Sequence, residues 1–373
     1  MTSTEEIIDF CIRNSSLSWE ANQLIQAQRK FYHIVDHLEP TVNGSGYNRP
    51  RLVRLTYHYV SSSESREIFL QAFFGYTQLS IGGGVDSDQD VNFNNETVEG
   101  NLRKKVNDFA DYLVRHLFMP LRASGTRTPQ PPSPDSPHSA VQNAQRGAEE
   151  VVRTPTRLST LRDTCLTRDH HRCVISRRYD TREWIKRYRK DGRNAKDDDG
   201  KILDPNELSG IQVAHILPHA LTKADSGTPL TPSKQAMLAI LNMLDHGAPP
   251  LTIPRNALSL THDLHGWFGC FEIYFTKVDQ HQHTYRVESF YPIPPFPVTR
   301  TLDGTNKIEH PSPRLLALHR AIAHILHLSG AGDYIEKLLG DMEELVIRAD
   351  GSTALGPLVT LGLDGWLGGT VGV

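Results

Sequence analysis

Residues 256–275 read NALSLTHDLHGWFGCFEIYF. ALSL is extended, and HDLHGWFG has the spacing of a short helix. CFEIYFTKV then begins a second extended run, which forms a hairpin with HTYRVESF through the polar DQHQ. Twenty residues thus carry a strand, a helix and a strand. A polar Asn256 stands at the start, and His262 and His265 lie on the helix. Upstream, IQVAHILP (211–218) reads as another strand, carrying His215. RCVIS (172–176) reads as a short strand carrying Cys173.

The order Cys173, His215, Asn256, His265 resembles the HNH, or ββα-metal, nuclease fold. It is most similar to a group of filamentous-fungal HNH-domain proteins. The flanks LVRHLFMPLRASGTRTPQPPSP and PSPRLLALHRAIAHILHLSGAGDYIEKLL look like that group too, so the resemblance covers roughly residues 100–365. It implies that His215 is a general base, that Asn256 orients it, and that His265 ligates a metal. Histidine suits the first role because its unperturbed pKa lies near neutrality. A divalent cation in such a site stabilises the charge that develops on the phosphoryl group.

Two positions depart from the pattern. Many HNH enzymes place a metal ligand just before the base, and here that residue is Ala214. A further ligand usually follows the helix histidine by four residues, since i and i+4 share a helical face. That position is Gly269, where the fungal group commonly has Asp. One imidazole does not hold Mg²⁺, which prefers carboxylate oxygen. His262, three residues before His265, offers a second imidazole, and a His–His pair suits Zn²⁺, Ni²⁺ or Co²⁺ better.

Each of these residues also has a plainer reading. His215 is then a core histidine, Asn256 a turn residue, and Cys173 a small packing group. Trp267, Phe268 and Phe271 form an aromatic patch beside His265. They either line an apolar substrate pocket or simply pack.

Working outward, residues 1–122 read as a mainly helical unit. TEEIIDFCI and residues 17–38 have helical spacing. RLVRLTYHYV (51–60) alternates as a strand does, and EIFLQAFFGY (67–76) fits strand or helix. Residues 82–96 read as a loop. NLRKKVNDFADYLVRHLFMPL (101–121) is an amphipathic helix that Pro120 is expected to end. Residues 123–155 are rich in Pro and Ser and poor in apolar groups, the composition of a flexible linker. The HNH-like domain occupies 156–348. It begins with a helix over TPTRLSTLRDTCLTRDH, has a helix starting at Thr231–Pro232, and ends in helices over PRLLALHRAIAHILHL and DYIEKLLGDMEELVIR. Residues 349–373 form a Gly- and Leu-rich tail. The expected class is α+β, an HNH-like ββα core embedded in helices beside an N-terminal helical unit.

The chain has 373 residues, a net charge of −3 and a pI near 6.7. A dedicated nucleic-acid binder is usually basic. The exception is local: Arg168 to Arg193 holds ten Lys or Arg against four Asp or Glu, with Tyr179, Trp184 and Tyr188 interleaved. That pattern fits either phosphate contact with base stacking or a solvated helix. None of the four cysteines is in a C-x-x-C pair. No secretory leader is evident, and no apolar run reaches the roughly 18 residues of a membrane span. A cytoplasmic or nuclear location is expected.

The loss of a ligand at Gly269 favours an HNH scaffold turned to another use. The resemblance permits a place in fungal secondary metabolism. A metal-independent cyclase performing a pericyclic, Diels–Alder-type closure on a small molecule needs only shape, proximity and a hydrogen-bond donor. Such an enzyme is expected to need no cofactor. The alternative is a metal-dependent HNH endonuclease that cleaves DNA with His215 as base.

Overall fold

The computed structural model describes residues 3–15, 18–40, 46–81, 93–125, 162–218, 230–247, 254–279, 281–302 and 308–343. Every regular element before residue 126 is helical. They are α1 (Thr4–Asn14), α2 (Ala21–Leu38), α3 (Arg49–His58), α4 (Ser63–Thr77), α5 (Glu96–Leu113) and α6 (Met119–Gly125). The starts are chemically marked. Ser3 and Glu6 form a reciprocal capping box, and Asn48, Ser62 and Asn95 cap α3, α4 and α5 with side-chain oxygens.

Residues 51–60, expected as a strand, lie mostly in α3. Asn48 caps the helix and Pro50 sits in its first turn. The buried set Leu52, Val53, Leu55, Thr56 and Tyr57 forms a broad helical face that also satisfies an alternating pattern. Residues 67–76 belong to α4. Pro120 does not end its helix either. A π turn over Val114–Phe118 joins α5 to α6. Widening this turn relieves the clash that a proline ring makes with the carbonyl four residues back.

The second half adds the strands. Residues 162–168 form α7. Then come β1 (Tyr179–Asp180), α8 (Thr181–Asp191), β2 (Leu208–Ser209), β3 (Ile211–His215) and α9 (Pro232–Leu244). They are followed by β4 (Ala257–Thr261), α10 (His262–Gly269), β5 (Ile273–Lys277), β6 (Thr284–Ser289) and β7 (Val298–Thr301). Two helices close the described chain, α11 (Pro313–Ser329) and α12 (Ala331–Glu343). β3 and β4 pair antiparallel, with Ile211 opposite Thr261 and His215 opposite Ala257. β5, β6 and β7 form an antiparallel sheet, whose third strand the sequence did not announce. β1 and β2 make a short parallel pair.

Residues 172–176, expected as a strand, instead form a knuckle. Cys173 Sγ accepts the Ser176 amide at 3.3 Å, and Arg177 takes a left-handed φ of 63°. The Val174 amide donates to Ser259 of β4, which fixes the knuckle on the strand pair.

The fold is therefore α+β, with a strand–strand–helix unit (β3, β4, α10) embedded in helices. One hydrophobic core runs from Ile8 to Ile335. α9 packs on α1, α4 and the π turn, α10 packs on α6, and α11 packs on α3 and β5. No helix among the described residues is long and apolar enough to cross a membrane. The linker beyond residue 125 and the tail from 349 lie outside the described residues, as does most of the loop at 82–96. Residues 123–125 are the last turn of α6.

Candidate active site

The β3–β4 register brings the end of one strand to the start of the other. His215, the last residue of β3, is buried and stands opposite Ala257, so Asn256 lies immediately beside it in the fold. Asn256 is fully buried. Its Oδ1 accepts the Leu217 amide at 2.9 Å, and its Nδ2 donates to the Leu217 carbonyl at 2.9 Å. Its backbone carbonyl accepts the Ile216 amide at 3.0 Å. An amide side chain has both a donor and an acceptor, so it serves both main-chain groups of one residue. These bonds hold the two residues that follow His215 and so set the direction of its side chain.

Asn256 is itself held by a group that sequence reasoning missed. Arg168, at the end of α7, is completely buried. It donates to both carboxylate oxygens of Asp169, and to the carbonyls of Pro254 and Ala257 on either side of Asn256. Asp169 Oδ2 also accepts the Ser259 amide at 3.2 Å. Arg168 therefore does not belong with the solvent-facing basic residues counted from the sequence. The only available signal was an Arg–Asp pair at a helix end, which is common on surfaces.

His265 is buried on α10, which packs against β3. Its Nδ1 lies 2.6 Å from Oε1 of Gln212, three residues before His215 on β3. Gln212 Oε1 thus accepts from Nδ1–H, which directs the Nε2 lone pair to the other side of the ring. This is how a metal-ligating histidine is usually oriented. Burial, and secondarily the neighbouring His262, push its pKa down to about 4. The imidazole is therefore neutral near pH 7, the form that ligates a metal. His262 is exposed at the first position of α10.

The aromatic patch proves to be mostly core. Phe268 is 1% exposed and stacks on the buried His319, with centroids 3.9 Å apart and planes 7° apart. Phe271 is 5% exposed and stacks on the same histidine at 4.6 Å. Phe271 also closes α10 with a left-handed φ of 60°, a conformation usually left to glycine. Both rings pack in the core, and Phe271 also borders a small pocket with Arg122, Glu272 and Tyr291. Periodicity alone does not separate those roles. Trp267 is half-buried, edge-on to Phe296 at 6.4 Å.

Gly269 is buried, and its carbonyl lies against Gly125, at the end of α6. Among the described residues, no three His, Cys, Asp or Glu side chains form a metal cage. The chemistry of the donors that are present fits a borderline cation taking imidazole nitrogen from His265 and His262. It does not fit Mg²⁺, which needs oxygen ligands.

No curated protein and no solved structure matches the chain. Residues 173–276 match the family model described as HNH endonuclease, and the segment from the Cys173 knuckle to β5 is an HNH-family domain.

Proposed function

We propose that the chain is a metal-dependent HNH endonuclease that cleaves nucleic-acid phosphodiester bonds, with His215 as general base. The observation that carries this reading is the Asn256 clamp on Ile216 and Leu217. It fixes the main chain that follows His215. A base that must meet a water and a phosphorus in line benefits from such fixing, because misplacement of about 1 Å costs on the order of a hundredfold in rate. His215 then takes the proton of the attacking water. His265, kept neutral and turned by Gln212, would hold a borderline cation with His262, and that ion would supply charge neutralisation at the phosphate.

The competing reading is a metal-independent cyclase acting on a small molecule in fungal secondary metabolism. Gly269 supports it, since the domain lacks a carboxylate there. Against it, Phe268 and Phe271, two of the three aromatic residues assigned to its pocket, bury most of their surface in the core.

The test is cleavage of supercoiled plasmid by purified protein with Mg²⁺, Mn²⁺, Ni²⁺, Co²⁺ or Zn²⁺. Nicking is expected with the imidazole-preferring ions and not with Mg²⁺. His215→Ala should slow it about a hundredfold or more. An intact plasmid under every ion would reject the endonuclease reading and leave the cyclase. Cleavage that survives His215→Ala would reject the assignment of the base.

A further inference from the structure

The basic segment singled out in the sequence is organised by α8. No residue of this helix is buried. Arg182, Lys186 and Arg189 are spaced i, i+4, i+7 and make one exposed ridge, beside which Lys190 on the helix and Arg193 in the turn after it are also exposed. From Arg182 to Lys190 the helix advances about 12 Å at the helical rise of ~1.5 Å per residue. Beside the ridge runs an apolar strip. Tyr188 is 41% exposed and Ile185 38% exposed, and Trp184 stacks on Tyr188 at 4.9 Å.

The nearby carboxylates are mostly committed elsewhere. Glu183 and Asp198 hold Arg187, Asp197 holds Arg172, and Asp180 holds Arg162. Asp191 and Asp199 remain as exposed carboxylates of this segment. Among the described residues Arg182, Arg189, Lys190 and Arg193 enter no ion pair. Lys186 has only an exposed one with Glu183 at 3.3 Å. A chain with a net charge of −3 thus concentrates unmatched positive charge on one ridge. The ridge is also attached to the site. Asp180, which caps α8, accepts the Ile211 amide at the start of the β3 strand that ends in His215. Along a strand rising ~3.3 Å per residue, that start is about 13 Å from His215.

We infer that α8 is a docking surface for single-stranded nucleic acid, in which the Arg182–Lys186–Arg189 ridge follows the phosphates and Tyr188 stacks on an unpaired base. Charge complementarity selects a polyanion. The aromatic strip selects unpaired bases, because a duplex hides its base faces in its own stack. The inference rests on the endonuclease reading, and its test reads binding instead of cleavage.

Full-length His215→Ala protein is titrated into a labelled 20-nucleotide single strand and a 20-base-pair duplex, by fluorescence anisotropy, over a range of NaCl. Adding R182Q, K186Q and R189Q together should flatten the slope of log affinity against log salt by about 2 for the single strand, at ~0.7 per lost contact. Adding Tyr188→Ala alone should weaken single-strand binding about tenfold and leave duplex binding unchanged. All four side chains are on the surface, and an unchanged circular dichroism spectrum checks that the helix survives. An unchanged salt slope in the triple variant would overturn the docking surface, even if plasmid cleavage is real. Tighter duplex binding that ignores Tyr188→Ala would overturn the single-strand assignment. Loss of binding in these variants of a protein that cuts no plasmid would sustain the surface and reject only the hydrolytic reading.

Discussion

At the scale of single residues, the clamp by Asn256 is the most exposed to test. Asn256→Ala leaves the amide and carbonyl of Leu217 without partners in a buried place. A buried polar group stripped of its partner costs about 1–3 kcal/mol. The variant should therefore lose about 2 kcal/mol or more in a urea denaturation series. It should also lose cleavage beyond what that instability explains, measured at a temperature where it is still folded. An unchanged denaturation midpoint would mean that the clamp does not form. His215, Asn256 and His265 were legible because a strand, a loop and a helix each carry one polar residue at a characteristic interval. Arg168 was not legible. Its burial depends on two carbonyls and one carboxylate brought together by the fold, and nothing local distinguishes it from a surface arginine. The packing of Phe268 and Phe271 on His319 was not legible, because that partner lies about fifty residues away in the chain.

Between elements, the decisive contact is that of α6 with α10. Gly125 and Gly269 meet without side chains, and a Cβ at Gly125 would run into the Gly269 carbonyl. Backbone does not yield as a flexible side-chain end does. Gly125→Ala should push α10 away from α6, lower stability by about 1–3 kcal/mol as overpacking does, and shift His265 with the helix. Thermal unfolding together with metal titration would read both effects, and a variant as stable as the parent would contradict the close approach. Gly269 thus has a packing role in addition to the ligand it fails to supply. The elements themselves were unevenly readable. Caps and amphipathic spacing announced α1, α2, α5 and α9. α3 passed for a strand because its wide apolar face also satisfies a two-residue alternation. The Cys173 knuckle passed for a strand because Val174 and Ile175 are β-formers, although the turn geometry of its neighbours prevails.

Across the whole molecule, acid is the natural probe. His265 and His319 are buried, and burial is the main cause that depresses both, to about 4 and about 3. In the unfolded chain they protonate near the ordinary value of 6.5. The folded state therefore has its full stability above pH 6.5 and loses it as the pH falls toward 4 and then 3. The loss is at most about 1.4 kcal/mol per pH unit for each group. Denaturation midpoints at pH 7 and pH 5 should show the fall, and His319→Gln should make the slope shallower. A slope unaffected by that substitution would place the acid sensitivity elsewhere. The helical nature of the first half and the α+β class of the whole were visible in composition and pattern. The fusion of the two halves was not, since no local pattern shows that α9, α10 and α11 use the N-terminal helices as their other wall.

That shared wall governs how the protein fails. Because the core running from Ile8 to Ile335 is continuous, warming has no way to melt the leading helices and spare the β3–β4 strand pair. Loss of the strand pair and loss of the helices should then follow one curve, and a protease that cuts within α3 or α4 would undo a structure held by residues more than a hundred positions downstream.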